Sequence, residues 1–118
     1  MKVSIIIPVY NEQGFIKKSI ESIINQTTKP QKVIYVNDSS TDETRNIIKE
    51  FSEKYEWIDL IDHESNQEHA PGSKVVEAFN FGLKNLNISY DIICKFDADI
   101  ILPNNYVERL VNIFSNNN

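Results

Sequence analysis

The stretch KFDADIILPNN, Lys95 to Asn105, closes an apolar, strand-like run (Tyr90, Ile92, Ile93, Cys94, Phe96) with two carboxylates, Asp97 and Asp99, one alanine apart. Burying a carboxylate is costly unless it is paired or holds a cation. Either these acids are solvated or something positive sits beside them. Hard divalent cations such as Mg²⁺ and Mn²⁺ take carboxylate and phosphate oxygens together, so Asp99 with Asp97 could tether a metal and the metal a diphosphate. The pair alone does not decide, because short acid pairs are common where strands meet solvent.

Three further segments put polar groups where apolar runs end. Pro8, Tyr10, Asn11 and Glu12 follow the first run; Asn37, Asp38, Ser39 and Ser40 follow the second; Asp62 and His63 follow the third. In an open parallel sheet ligands bind beyond the carboxyl ends of the strands, so four such ends point to one site. The chain holds only three glycines, Gly14, Gly72 and Gly82, with neither GxGxxG after a strand nor GxxxxGK[ST]. Backbone cradling of phosphate is therefore not expected, and a metal bridge is the remaining route. Blander roles compete at each position. Asp38 and Asp42 suit turn and cap chemistry, and Tyr10 could pack on a neighbouring loop. His63 and His69 lack metal-ligand spacing and read as surface loop residues. Cys94 reads as core.

The elements that would position these residues follow from apolar periodicity. Strands are expected at Val3–Val9, Val33–Val36, Trp57–Ile61 and Tyr90–Phe96. Between them, Phe15, Ile16, Ile20, Ile23 and Ile24 share one face of a helix over Gln13–Gln26. Ile47, Ile48, Phe51 and Tyr55 mark a second helix, with Ser40 and Glu43 spaced as a capping box at its start. Val75, Ala78, Phe79, Gly82, Leu83 and Leu86 mark a third, and Val107, Leu110, Val111 and Phe114 a fourth after Pro103. Strands alternating with helices predict an α/β fold: a three-layer α/β/α sandwich on a mainly parallel, Rossmann-like sheet. Asp62 to Ser73 is the one long loop.

A length of 118 residues fits a single domain spanning 1–118. A net charge of −5 argues against a broad electrostatic grip on nucleic acid. With one cysteine no disulfide forms within the chain, which suits a reducing compartment. The N-terminal apolar run is broken by Pro8 and Glu12, too short for a membrane span or signal peptide. A cytoplasmic location is expected, or the inner face of a membrane if other parts of a longer parent supply attachment.

Taken together, SIIIPVYNE, IYVNDSSTDET, GSKVVEAFNFGL and KFDADI occur in an order and spacing that resembles the N-terminal, nucleotide-sugar-binding half of the family 2 inverting glycosyltransferases, which have the GT-A fold. The resemblance covers essentially the whole chain. It implies transfer of a sugar from a nucleotide-diphosphate sugar, a UDP-sugar first among them, to a carbohydrate or lipid-linked acceptor in polysaccharide or glycoconjugate synthesis, with Mn²⁺ or Mg²⁺ as cofactor. It places Pro8, Tyr10 and Glu12 at the nucleotide pocket, Asp38 on the base, Gly72 and Lys74 alongside the nucleotide, Asp97 near the ribose and metal, and Asp99 on the metal. Asn37 stands where the family has an acid and Ser39 where it has a glycine, which bears on base recognition. Such enzymes deprotonate the acceptor hydroxyl with a separate carboxylate beyond the acid pair. Past Asp99 only Glu108 is acidic, and its helical setting argues against that role, so the base is unassigned and the acceptor-binding half is expected to lie outside this chain.

Other readings use the same residue types. A non-catalytic module could hold a nucleotide sugar without transferring it. A sugar nucleotidyltransferase would need a glycine-rich loop that PVYNEQG does not supply. A haloacid-dehalogenase-type phosphatase carries its acid pair after the first strand, and a receiver domain needs acids there too.

Overall fold

The computed structural model describes residues 1–64 and 71–116, with residues 71–73 described by backbone alone. Four strands, β1 (Val3–Val9), β2 (Lys32–Asp38), β3 (Ile58–His63) and β4 (Ile92–Lys95), alternate with helices α1 (Ile16–Ile24), α2 (Thr44–Lys54), α3 (Pro71–Lys84) and α4 (Tyr106–Asn116). The strands form one parallel sheet in the order β3-β2-β1-β4. Strand alternation sends side chains to opposite faces. Val3, Ile5, Ile7 and Val9 of β1, with Val33 and Tyr35 of β2, pack on Ile16, Ile20 and Ile23 of α1, Ile48 of α2 and Val107 of α4. Ile6, Ile34 and Val36 face the other way, onto Ala78 and Phe79 of α3. The expected three-layer α/β/α architecture is therefore present, with three helices on one face and α3 on the other.

Several boundaries differ from the sequence reading, each for a local reason. Phe15, expected on the apolar stripe of α1, is exposed. It belongs to a turn in which the Phe15 and Ile16 amides both donate to the Glu12 carbonyl, so it sits ahead of the helical face. The capping box at α2 does not form. Ser40 Oγ instead accepts from the Asn11 amide at 3.1 Å, and the Asp42 carboxylate takes the Thr44 amide at 3.0 Å, so the helix starts three residues past the expected cap region. β4 is shorter than expected, because only Val3 to Ile6 of β1 pair with it. β3 instead runs on to His63, carried by its register against β2. Val75 and Phe114, expected on the stripes of α3 and α4, are exposed. Gly72 lies in the helical backbone at the start of α3; His69 is outside the described residues.

A polar seam joins α1 to the segment after β4. Ser19 Oγ donates to the Ile100 carbonyl (2.7 Å), Ser22 Oγ accepts from the Leu102 amide (3.0 Å), and the Thr27 amide donates to the Asn104 carbonyl (2.8 Å). Gln26, only 1% exposed, donates through Nε2 to the carbonyls of Ser22 and Pro103 and accepts the Val107 amide on Oε1. A buried amide so fully paired stabilises rather than costs. The seam fixes where the chain goes immediately after Asp97 and Asp99.

On the opposite face α3 approaches the sheet at a glycine. A Cβ added at Gly82 would stand 2.7 Å from Ile6 Cγ2 and 2.8 Å from Val36 Cγ2, both held by the core. Gly82→Ala should therefore lose about 1–3 kcal/mol, the usual cost of overpacking, despite the better helix propensity of alanine. Urea unfolding followed by circular dichroism reads this directly, and an unchanged midpoint would contradict it.

Candidate functional site at the carboxyl edge of the sheet

Because all strands run in one direction, their carboxyl ends share one edge, and the loops leaving β1, β2 and β4 meet there. The loops after β1 and β2 are stapled together. Asn11, with a left-handed φ of 48°, donates its amide to Ser40 Oγ, and its side-chain Oδ1 accepts from the Thr41 amide at 2.8 Å. The Glu12 amide donates to Thr44 Oγ1 at 2.8 Å. Ser39, standing where the resembled family has glycine, still takes a glycine-like φ of 62°. Asparagine tolerates that region better than most residues, and serine occupies it here inside a hydrogen-bonded turn.

Tyr10 lies at this edge, 58% exposed. Pro8 is half-buried at the end of β1, in register with Val36. Glu12 is half-buried, and its carboxyl is pushed above the ordinary value by burial and then by the negative charges of Asp99, Asp42 and Asp97. The structure thus brings Glu12, Asp97 and Asp99 into one electrostatic neighbourhood from two ends of the sequence. Asp97 and Asp99 are exposed. Lys95 Nζ lies 3.9 Å from Asp97, a solvated pair of small worth. Lys74 is half-buried in the first turn of α3, and Glu108 is exposed in the first turn of α4.

Among the described residues no group of three or more His, Cys, Asp or Glu side chains is gathered to hold a metal alone. The donor set nevertheless suits Mg²⁺ or Mn²⁺ shared with a ligand. Such ions commonly use one or two protein carboxylates and complete their shell with phosphate and water.

One strand over, the structure assembles groups that the sequence reading left separate. Asn37 and Asp62 are register partners on β2 and β3, as are Asp38 and His63. His63, expected as a surface loop residue, ends β3 instead. Its side chain is 17% exposed, its Nδ1 lies 3.6 Å from Asp38 Oδ1, and its ring stands 4.6 Å from that of Phe81. Asn37, 4% exposed, donates Nδ2 to Asp62 Oδ1 at 2.9 Å and accepts the Ser40 amide on Oδ1 at 3.2 Å. Its amide is thus directed inward. Arg45 grips Asp62 in a bidentate fork, Nε to Oδ1 and Nη2 to Oδ2, each at 2.9 Å. Hydrogen bonds from Arg45 and then Asn37 hold the Asp62 carboxyl below the usual carboxylate range. A cleft of about 270 Å³ opens among Asn37, Ser39, Asp62, His63 and Glu64. Strand length was the missing signal: one more alternating pair at the end of each run would have set Asp62 and His63 beside Asn37 and Asp38.

Comparisons with known proteins agree with this architecture. The family profile "Glycosyl transferase family 2" matches residues 4–118. The glycosyltransferase GlyA of Streptococcus pneumoniae is 37% identical over 109 residues, 92% of this chain and 14% of that protein. Among solved structures, Staphylococcus aureus TarS 1–349 in complex with UDP superposes with a TM-score of 0.79 at 24% identity, over 98% of this chain and 32% of that one. The mannosyltransferase PcManGT of Pyrobaculum calidifontis, in complex with GDP-Man and Mn²⁺, gives 0.69 at 25% identity, over 86% and 28%. This chain belongs to glycosyl transferase family 2 and has the GT-A fold. It spans a minor part of the length of these relatives.

The raised Glu12 carboxyl has a checkable consequence. Glu12 gains a proton more readily folded than unfolded, so its contribution to stability is full below the ordinary value of 4.5 and is lost as pH rises through the folded midpoint. Asp99→Asn should lower that midpoint part of the way back, burial and the charges of Asp42 and Asp97 supplying the remainder. Carboxyl-carbon NMR of Glu12 across a pH series measures both values, and an unmoved midpoint would mean that Asp99 does not act on it.

Proposed function

We infer that this member of glycosyl transferase family 2 binds a nucleotide-diphosphate sugar, with UDP-sugars the preferred donors, at the carboxyl edge of its sheet, and that the protein containing it transfers the sugar to an acceptor hydroxyl with inversion. The observation that carries the reading is the convergence of Glu12, Asp97 and Asp99 beside the stapled loops after β1 and β2. The bound UDP in TarS and the GDP-Man with Mn²⁺ in PcManGT support it.

In this reading Tyr10 offers its exposed ring to the base, with Pro8 shaping the floor beneath. Asp38 accepts a hydrogen bond from the base, steadied by His63 at 3.6 Å. Glu12 makes a polar contact in the nucleotide pocket, Asp97 lies near the ribose and the metal, and Gly72 and Lys74 pass alongside the nucleotide, the lysine supplying positive charge. Asp99, with Asp97, would hold Mn²⁺ or Mg²⁺. When bound, the cation neutralises the diphosphate and stabilises it as a leaving group. An inverting transfer also needs a base within hydrogen-bond reach of the acceptor hydroxyl. None is assigned here; Glu108 is exposed on α4 and is given no part. Residues 1–118 are read as the donor-binding domain, and the acceptor as a carbohydrate or lipid-linked hydroxyl in polysaccharide or glycoconjugate synthesis. Among the described residues no helix is long and apolar enough to cross a membrane, and a cytoplasmic setting is proposed.

Isothermal titration of UDP should show binding with Mn²⁺ or Mg²⁺ that is lost with chelator. Asp99→Asn should remove the metal-dependent part while leaving the fold intact by circular dichroism. Equal affinity with and without chelator would overturn the metal-bridged reading.

A further inference from the structure

Asn37 stands in the position where the resembled family carries an acid, and its amide could be taken for a reader of the nucleoside base. The geometry points elsewhere. Asn37 is 4% exposed, and both ends of its amide are used inside the protein, one on Asp62 and one on the Ser40 amide. Asp62 is the reason an acid does not fit. Its Oδ1 lies 2.9 Å from Asn37 Nδ2, and a carboxylate at position 37 would set two negative oxygens at that separation. Like charges so close cannot both stay ionised, and one must take up a proton. With asparagine, positions 37 and 62 together carry one negative charge, and Arg45 neutralises it through its bidentate fork.

The contacts of this unit continue to the ligand edge. Asn37 Oδ1 closes the turn over residues 37–40 by accepting the Ser40 amide. That turn contains Asp38 and the left-handed Ser39. Ser40 and Thr41 then fix Asn11, the residue after Tyr10. Displacing Asn37 therefore moves Asp38 and the Tyr10 loop together.

We propose that Asn37, Asp62 and Arg45 act as one charge-neutral unit that positions the Asp38–Thr41 loop and so sets discrimination between nucleoside bases, and that positions 37 and 62 tolerate exchange of acid and amide only as a pair. This rests on the donor-binding reading above. The three are positioning residues: they act on a nucleotide through Asp38 and Tyr10.

The test titrates UDP and GDP, each with Mn²⁺, into the full chain and its variants, with thermal midpoints taken without ligand. Asn37→Asp should weaken UDP binding by about tenfold or more, since it sets a nearly buried carboxylate against that of Asp62 across a 2.9 Å contact. The exchanged variant Asn37→Asp with Asp62→Asn restores one acid, one amide and the neighbouring arginine, and should return to within about threefold of wild type. Arg45→Gln removes a guanidinium that is half-exposed at the surface and keeps the fold. It should shift the UDP-to-GDP affinity ratio by at least about threefold with little change in thermal midpoint, a readout that a purely structural role would not move. If Asn37→Asp does not fold, the exchanged variant and Arg45→Gln carry the test. An exchanged variant no better than Asn37→Asp, or an unchanged base ratio in folded Arg45→Gln, overturns the proposal while leaving donor binding standing. A wild-type chain that binds neither nucleotide overturns the donor reading itself and this inference with it.

Discussion

Parallel pairing is the constraint on which the rest depends. Each strand must be re-entered from the same end, so every strand-to-helix exit is delivered to one edge. The backbone groups there no longer have a ladder partner, and short polar side chains take over their hydrogen bonds. Asn11, Asn37, Ser40, Asp42 and Thr44 do this work between the exits of β1 and β2. A dense polar edge thus follows from topology before any ligand is considered. The departure from that expectation is the charge. Turn chemistry accounts for amides and hydroxyls, whereas Glu12, Asp97 and Asp99 crowd negative charge that the backbone does not require.

Keeping Asp97 and Asp99 in place calls for a different device. β4 is only four residues long and pairs on one side, a weak support for a loop that must hold its position. α1 and the residues just after it supply the rigidity instead, through Ser19 and Ser22 of the helix and Gln26 and Thr27 beyond its end. A helix that on its apolar side builds the core thereby also orients the acid corner. Packing and site geometry are coupled through α1 and the short segment that follows it.

The strands, their direction and the site edge were legible because they depend on local pattern. Val3–Val9 is an apolar run interrupted only by Ser4, with Pro8 near its end, and its boundaries match the structure. The acids after β4 stood out because they interrupt such a run. The parts that were not legible depend on which residues become neighbours across the sheet. Asn37 and Asp62 are 25 positions apart in sequence, and nothing local to either says that one donates to the other. His63 read as loop for the same reason: its strand character comes from pairing with β2, while its own sequence context is polar. Gln26 stood only as the last residue of the expected first helix, because its burial comes from Pro103 and Val107, which lie far along the chain.

The left-handed seat of Ser39 bears on how this loop can drift in evolution. A glycine there would relieve the cost of a Cβ at positive φ, about 1 kcal/mol, but would add nearly the same amount of chain entropy to the unfolded state. The two terms oppose each other at similar size, so exchange between serine and glycine at position 39 is close to neutral and open to random change in either direction. Position 37, two residues away, is tied to 62 and 45 by charge. A lineage can wander at one and must move in concerted steps at the other, so neighbouring letters of a single loop record history at different rates.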